Sequence, residues 1–106
     1  MGTRLVDVAK FSSLPEKRGT RAEVEGQSYV LWRNGPAVIA AVNSCPHQHI
    51  ETLHLGPVED GVVTCPMHGW SFDLETGKAV GGSGRLTFLR AEVRGDRVFI
   101  ELHDES

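Results

Sequence analysis

At 106 residues the chain has room for about one domain, since most of that length is needed to close a single core. A content of 40% hydrophobic, 24% charged and 7% aromatic residues is ordinary for a globular protein and excludes a disordered or low-complexity chain. A net charge of -3 with scattered arginines and lysines leaves no basic footprint for nucleic acid. The longest apolar run, Ala37 to Val42, falls far short of the roughly 20 residues that cross a bilayer.

The N-terminus brings Asp7 before any signal-like apolar stretch can form, so the expectation is a cytoplasmic chain with no membrane anchor. Arg4 to Ala9 and Thr20 to Glu25 read as strands. Between them, Phe11 to Gly19 holds at most one helical turn capped by Ser12 or Ser13, because Pro15 and Gly19 stop anything longer. Ser28 to Arg33 and Pro36 to Val42 flank Asn34-Gly35, a pair that tolerates positive φ and predicts a central hairpin. Gly61 to Thr64 and Trp70 to Asp73 are two further short strands, and Gly81-Gly82-Ser83-Gly84 reads as a loop. Thr87 to Arg94 places Leu89, Ala91 and Val93 on one face, and Asp96 to Leu102 does the same with Val98, Ile100 and Leu102. Gly95-Asp96 joins them as a second hairpin. Short strands at this spacing predict an all-β sandwich or barrel.

The chemistry concentrates in two short segments. Cys45-Pro46-His47 and Cys65-Pro66-Met67-His68 each offer one thiolate and one imidazole beside a proline. A disulfide between the chain's two cysteines is the bland reading, but a reducing compartment disfavours it. Mixed thiolate and imidazole donors narrow the occupant to a tetrahedral zinc or an iron–sulfur cluster. Structural zinc modules usually pair like ligands within one knuckle, whereas here each segment supplies one of each. A cluster with cysteines on one iron and histidines on the other needs that crossed supply.

The pattern C-x-H, seventeen intervening residues, then C-x-x-H-G-W resembles the signature of the Rieske family. The flanking Glu59-Asp60-Gly61-Val62-Val63-Thr64 and Trp70-Ser71-Phe72-Asp73-Leu74-Glu75-Thr76-Gly77 resemble its soluble ferredoxin branch. The resemblance implies an antiparallel β-sandwich base with a small cluster-binding subdomain. It divides the chain into a single domain over 1–106, with the cluster-binding part at about 43–84. It further implies one 2Fe-2S cluster, with Cys45 and Cys65 on the buried iron and His47 and His68 on the outer one.

The implied role is electron transfer without catalysis by the chain's own side chains. Partners would be redox proteins, a ferredoxin reductase on one side and a terminal oxygenase or reductase on the other. The alternative is a tightly bound small subunit of an enzyme such as nitrite reductase. Two ferric ions, two sulfides and two thiolates sum to a neutral oxidised core, which accepts an electron more easily than an all-thiolate site. Such centres span roughly -150 to +300 mV, against about -400 mV for plant-type ferredoxins. High-potential relatives carry two extra cysteines and a serine soon after the last histidine. This chain has neither, Trp70 standing where the serine is expected, so a potential toward the low end is predicted. Reduction should raise the pKa of the ligating imidazoles, giving about 59 mV per pH unit per coupled proton above the oxidised-state pKa.

Other residues carry plainer expectations. His49 and His54 are read as surface or supporting histidines, because a mononuclear iron site would also need a carboxylate and an enclosing domain. Trp70 and Phe72 are expected to pack, Pro46 and Pro66 to stiffen their loops, and His103 to be solvated in a polar tail. Glu51, Glu59 and Asp60 are placed near the cluster end.

Overall fold

The computed structural model describes residues 2–44, 52–66, 69–81 and 84–104, which form eleven strands in three antiparallel sheets. The first sheet has the order β1-β11-β10, from Gly2–Lys10, Arg97–Asp104 and Ala91–Arg94. The second has the order β2-β3-β4-β9, from Gly19–Val24, Gln27–Asn34, Ala37–Val42 and Phe88–Leu89. The third and smallest has the order β5-β6-β7-β8, from Val58–Glu59, Val62–Thr64, Ser71–Asp73 and Ala79–Gly81. The small sheet is thus an insertion between β4 and β9 of the larger one.

Strand β3 explains how three sheets share one body. Its residues alternate in direction, and both sets are buried. Tyr29 and Leu31 pack with Leu14, Ala22, Ala40, Val98, Ile100 and Leu102 between the first two sheets. Val30 and Trp32 face the other way, into a second core with Ala41, Leu53, Val63, Cys65, Phe72, Leu74 and Leu86. A strand covered on both sides reads as a continuous apolar run, which is what Tyr-Val-Leu-Trp is. The alternation Ala40 and Ala41 on β4 serves the same two cores with small side chains.

The all-β sandwich with a small subdomain is therefore present, and so are both predicted hairpins. Several boundaries differ for physical reasons. Asn34 pairs with Ala37, so the turn centres on Gly35-Pro36. Gly35 takes φ 61, and proline, fixed at negative φ, can occupy only the second centre. The expected strand 87–94 divides at Arg90: Leu89 pairs with Ala40 in the second sheet, while Ala91 pairs with Ile100 in the first. One apolar alternation runs through both pieces, which hides the switch of partner. The helical turn is the 3-10 segment Phe11–Ser13, and neither serine caps it: the Ser12 N–H and hydroxyl donate to the Asp96 carboxylate at 2.9 and 2.8 Å, and Ser13 Oγ donates to the Lys10 carbonyl at 2.7 Å. His103 belongs to β11, paired with Thr3, and not to a tail, though it is exposed. Strands β5 and β8 and the 3-10 turn Leu53–Leu55 are too short for periodicity to reveal.

Candidate metal centre

Of the four expected ligands, Cys65 lies within the described residues, and Cys45, His47 and His68 lie outside them, as do His49 and Glu51. The frames that deliver both ligand segments are well defined.

The second segment is the tip of a hairpin. Val62 pairs with Asp73, Val63 with Phe72 and Thr64 with Ser71, which leads β6 into Cys65 and β7 out of Trp70. The Cys65 N–H donates to the Trp70 carbonyl at 2.6 Å, closing the tip, and Gly69 adopts φ 69 within it. Only glycine takes that backbone conformation without strain, so the glycine after the last histidine is a turn requirement. Thr64 Oγ1 and Ser71 Oγ lie 3.2 Å apart and tie the hairpin just below. Cys65 itself is fully buried, packed among Leu53, Val63 and Phe72, with Trp70 half-buried against the same cluster.

The first segment leaves the end of β4 and returns through Thr52 to the 3-10 turn Leu53–Leu55. Leu53 is fully buried in the same core as Cys65 and anchors the return. Gly56 then passes so close to Thr64 that a Cβ there would sit 2.1 Å from the Thr64 carbonyl oxygen. The Thr64 N–H in turn donates to the Pro57 carbonyl at 3.0 Å. The residue before Cys65 is thereby fastened to the Gly56-Pro57 stretch, which follows the Leu53–Leu55 turn, at the Cys65 end of the small sheet.

The glycine-rich stretch reaches that end too. Gly81 pairs with Ser71, the β7 residue nearest the tip, and the Ala79 N–H donates to the Gly84 carbonyl at 3.2 Å. Asp60 does not belong there. It forms the β5-β6 turn with Gly61, at the opposite end of β6, with the whole of that strand between it and Cys65. A groove of about 750 Å³ lies on that far side, lined among others by Glu16, Lys17, Asp60 and Glu75.

His54 and Asn43 form a pair that neither periodicity nor motif brought together. Asn43 is fully buried at the end of β4, and its carboxamide meets both the backbone and the ring of His54. Burial, and then the Arg21 charge, hold the His54 pKa below its ordinary value of 6.5.

A buried thiol at the root of a hairpin tip suits a soft metal ion. The tip also offers a second donor three residues on, and a partner segment carries the same pair of donor types. The donor set fits a diiron cluster held half by sulfur and half by nitrogen. The fold and this end of the small sheet thus define a cluster-binding β-sandwich.

The comparisons agree. The model of the Rieske [2Fe-2S] domain matches residues 4–86, and the chain belongs to that family, whose cofactor is one 2Fe-2S cluster. Oxidoreductase NdmD of Pseudomonas putida is 31% identical over 85 residues, which are 79% of this chain and 13% of that protein. The chain thus spans a small part of that relative. The ferredoxin of carbazole 1,9a-dioxygenase from Nocardioides aromaticivorans IC177 superposes with a TM-score of 0.82 at 25% identity, over 91% of this chain and 95% of that one. A nitrite reductase small subunit from Mycobacterium tuberculosis gives 0.85 at 18% identity, over 99% and 100%, a likeness of fold.

Proposed function

We propose that this chain is a one-electron carrier that holds its cluster through Cys45, His47, Cys65 and His68 and shuttles between a reductase and a terminal oxygenase or other redox enzyme. When bound, the cluster supplies one reversible electron. The chain's residues hold and screen it. Cys45 and Cys65 would hold it through thiolates, Cys65 from a fully buried position, and His47 and His68 would hold it through neutral imidazoles. The cluster-binding part runs over about 43–84, which contains the inserted small sheet, within a single domain of 1–106.

The observation that carries the reading is the burial of Cys65 where the Gly56-Pro57 backbone crosses Thr64. Likeness to the ferredoxin of a dioxygenase system supports the carrier reading. The fold of a nitrite reductase small subunit supports the second reading, a permanently bound subunit. Among the described residues no helix is long and apolar enough to cross a membrane. A cytoplasmic setting belongs to the proposal, since thiolate ligands persist where thiols stay reduced.

Iron and acid-labile sulfide analysis, with electron paramagnetic resonance of the dithionite-reduced protein, tests the assignment. The expected result is iron and sulfide in equal amounts and a reduced-cluster signal; colourless protein with zinc and no sulfide would overturn it. Size-exclusion of native extract separates carrier from subunit.

A further inference from the structure

A histidine at position 54 has no part in the ligand set, yet it is one of the best-connected side chains near it. The His54 N–H donates to Asn43 Oδ1 at 3.1 Å, and Asn43 Nδ2 lies 2.9 Å from His54 Nδ1. The same Nδ2 donates its other proton to Ser28 Oγ at 3.0 Å, and the Asn43 N–H donates to the Ser28 carbonyl at 3.0 Å. Asn43 and Ser28 are 0% and 1% exposed, so each of these groups depends on the others for its hydrogen bonds.

Counting donors settles the state of the ring. A carboxamide nitrogen only donates, so His54 Nδ1 has to accept, and the ring is neutral with its proton on Nε2. Turning the Asn43 amide over would set its NH2 against the His54 N–H, two donors facing each other out of water. The backbone N–H therefore fixes the amide, and the amide fixes the tautomer. These two bonds also join the ends of one stretch of chain, β4 on one side and the 3-10 turn on the other, with Cys45 and His47 between them.

We propose that His54 is a positioning residue for the first ligand segment: with Asn43 it forms a clasp that closes the loop carrying Cys45 and His47, and protonation of its ring opens that clasp. The proposal rests on the reading that Cys45 and His47 bind the cluster. The surroundings oppose a second charge. Among the described residues the charge acting on the ring is that of Arg21 of β2, itself 3.6 Å from Glu23; Ser28 of β3 and Asn43, just after β4, do not titrate. Because the folded pKa is depressed, the clasp contributes fully above about pH 6.5 and is progressively lost as pH falls below that value.

The test uses the cluster-loaded protein, its His54→Ala variant and its His54→Asn variant, whose Oδ1 can accept in place of Nδ1 but does not take up a proton. Bleaching of the visible absorbance by an iron chelator is followed at neutral and weakly acid pH. At neutral pH His54→Ala keeps the backbone bond to Asn43 Oδ1 but leaves the buried Asn43 Nδ2 proton unpaired, and it is expected to lose the cluster roughly tenfold faster, the cost of one stranded buried donor, while His54→Asn stays within about twofold of the parent. On acidification the parent should accelerate more than His54→Asn, since background acid effects on the ligands are common to both. A parent rate in His54→Ala, or equal acid acceleration in the parent and His54→Asn, would overturn the clasp. Independently of any variant, long-range nitrogen NMR of the parent should show the proton on Nε2; a proton on Nδ1 at neutral pH refutes it. Absence of iron and sulfide from the parent would instead sink the cluster assignment, and the NMR result would still judge the clasp.

Discussion

The two cores on either side of β3 are built to different rules. Between the large sheets, long strands such as Gly2–Lys10 and Arg97–Asp104 pair from end to end apart from one bulge at Val8, and Val98, Ile100 and Leu102 fill one face at a strict period of two. Around Cys65, strands of two or three residues are held by single anchors, Leu53, Val63 and Phe72, and by close backbone crossings. The first region draws its order from repetition. The second has too few ladder bonds for that and is expected to lean on its cofactor, as small metal-binding units do.

The sharpest way to break this contrast is Cys65→Ser. An alkoxide-type oxygen is a poor substitute for a soft thiolate, so the brown-red colour and bound iron should be lost entirely. Hydrogen exchange should then rise across β5 to β8 while β1, β10 and β11 stay protected; equal loss everywhere would show that the cores are one cooperative unit. Next come paired truncations of fully buried side chains. Phe72→Ala should cost about 3–5 kcal/mol and release the cluster, whereas Ile100→Ala, at about 2–5 kcal/mol, should lower the urea midpoint while the folded fraction keeps its visible spectrum.

A smaller effect comes from two glycines. Gly56→Ala pushes a methyl against the Thr64 carbonyl, and overpacking of this kind costs about 1–3 kcal/mol, so cluster retention should fall along with stability. Gly26→Ala, at φ 82 with nothing nearby, should cost about 1–2 kcal/mol from backbone strain alone and leave the cluster spectrum unchanged. The smallest change is Asp7→Asn at the edge of the long sheet. Arg97 donates to the Asp7 carboxylate at 2.7 and 2.9 Å and holds its pKa below 3.8. Any stabilisation is present above that value and disappears as pH falls below it, and both side chains are about half exposed. The variant's thermal midpoint should sit just below the parent's at neutral pH and coincide with it in about 1 M salt.

The same difference governs what could be read in advance. The hairpin of β3 and β4, though not the exact centre of its turn, and the Gly95-Asp96 turn were plain because apolar runs bounded by glycine turns are local signals. Cys45, His47, Cys65 and His68 stood out as candidate ligands because donor spacing is a linear pattern, and the burial expected for Phe72 is met. The switch of β9 and β10 between sheets was hidden, since Leu89, Ala91 and Val93 keep one period across the break. Asp60 was misplaced because proximity in sequence to Cys65 says nothing about which end of β6 it occupies. The Asn43 pairing with His54 left no trace in any pattern: a buried asparagine announces itself only once its partners, eleven and fifteen positions away, are in view.

Strand β3 sets a limit on transplanting this centre. The excised stretch 43–84 would lack one wall of its own interior, because Val30, Trp32 and Ala41 belong to the hairpin that precedes it. A minimal graft would have to carry the segment from Ser28 onward and give the exposed back of that hairpin, Tyr29 and Leu31, a new apolar host.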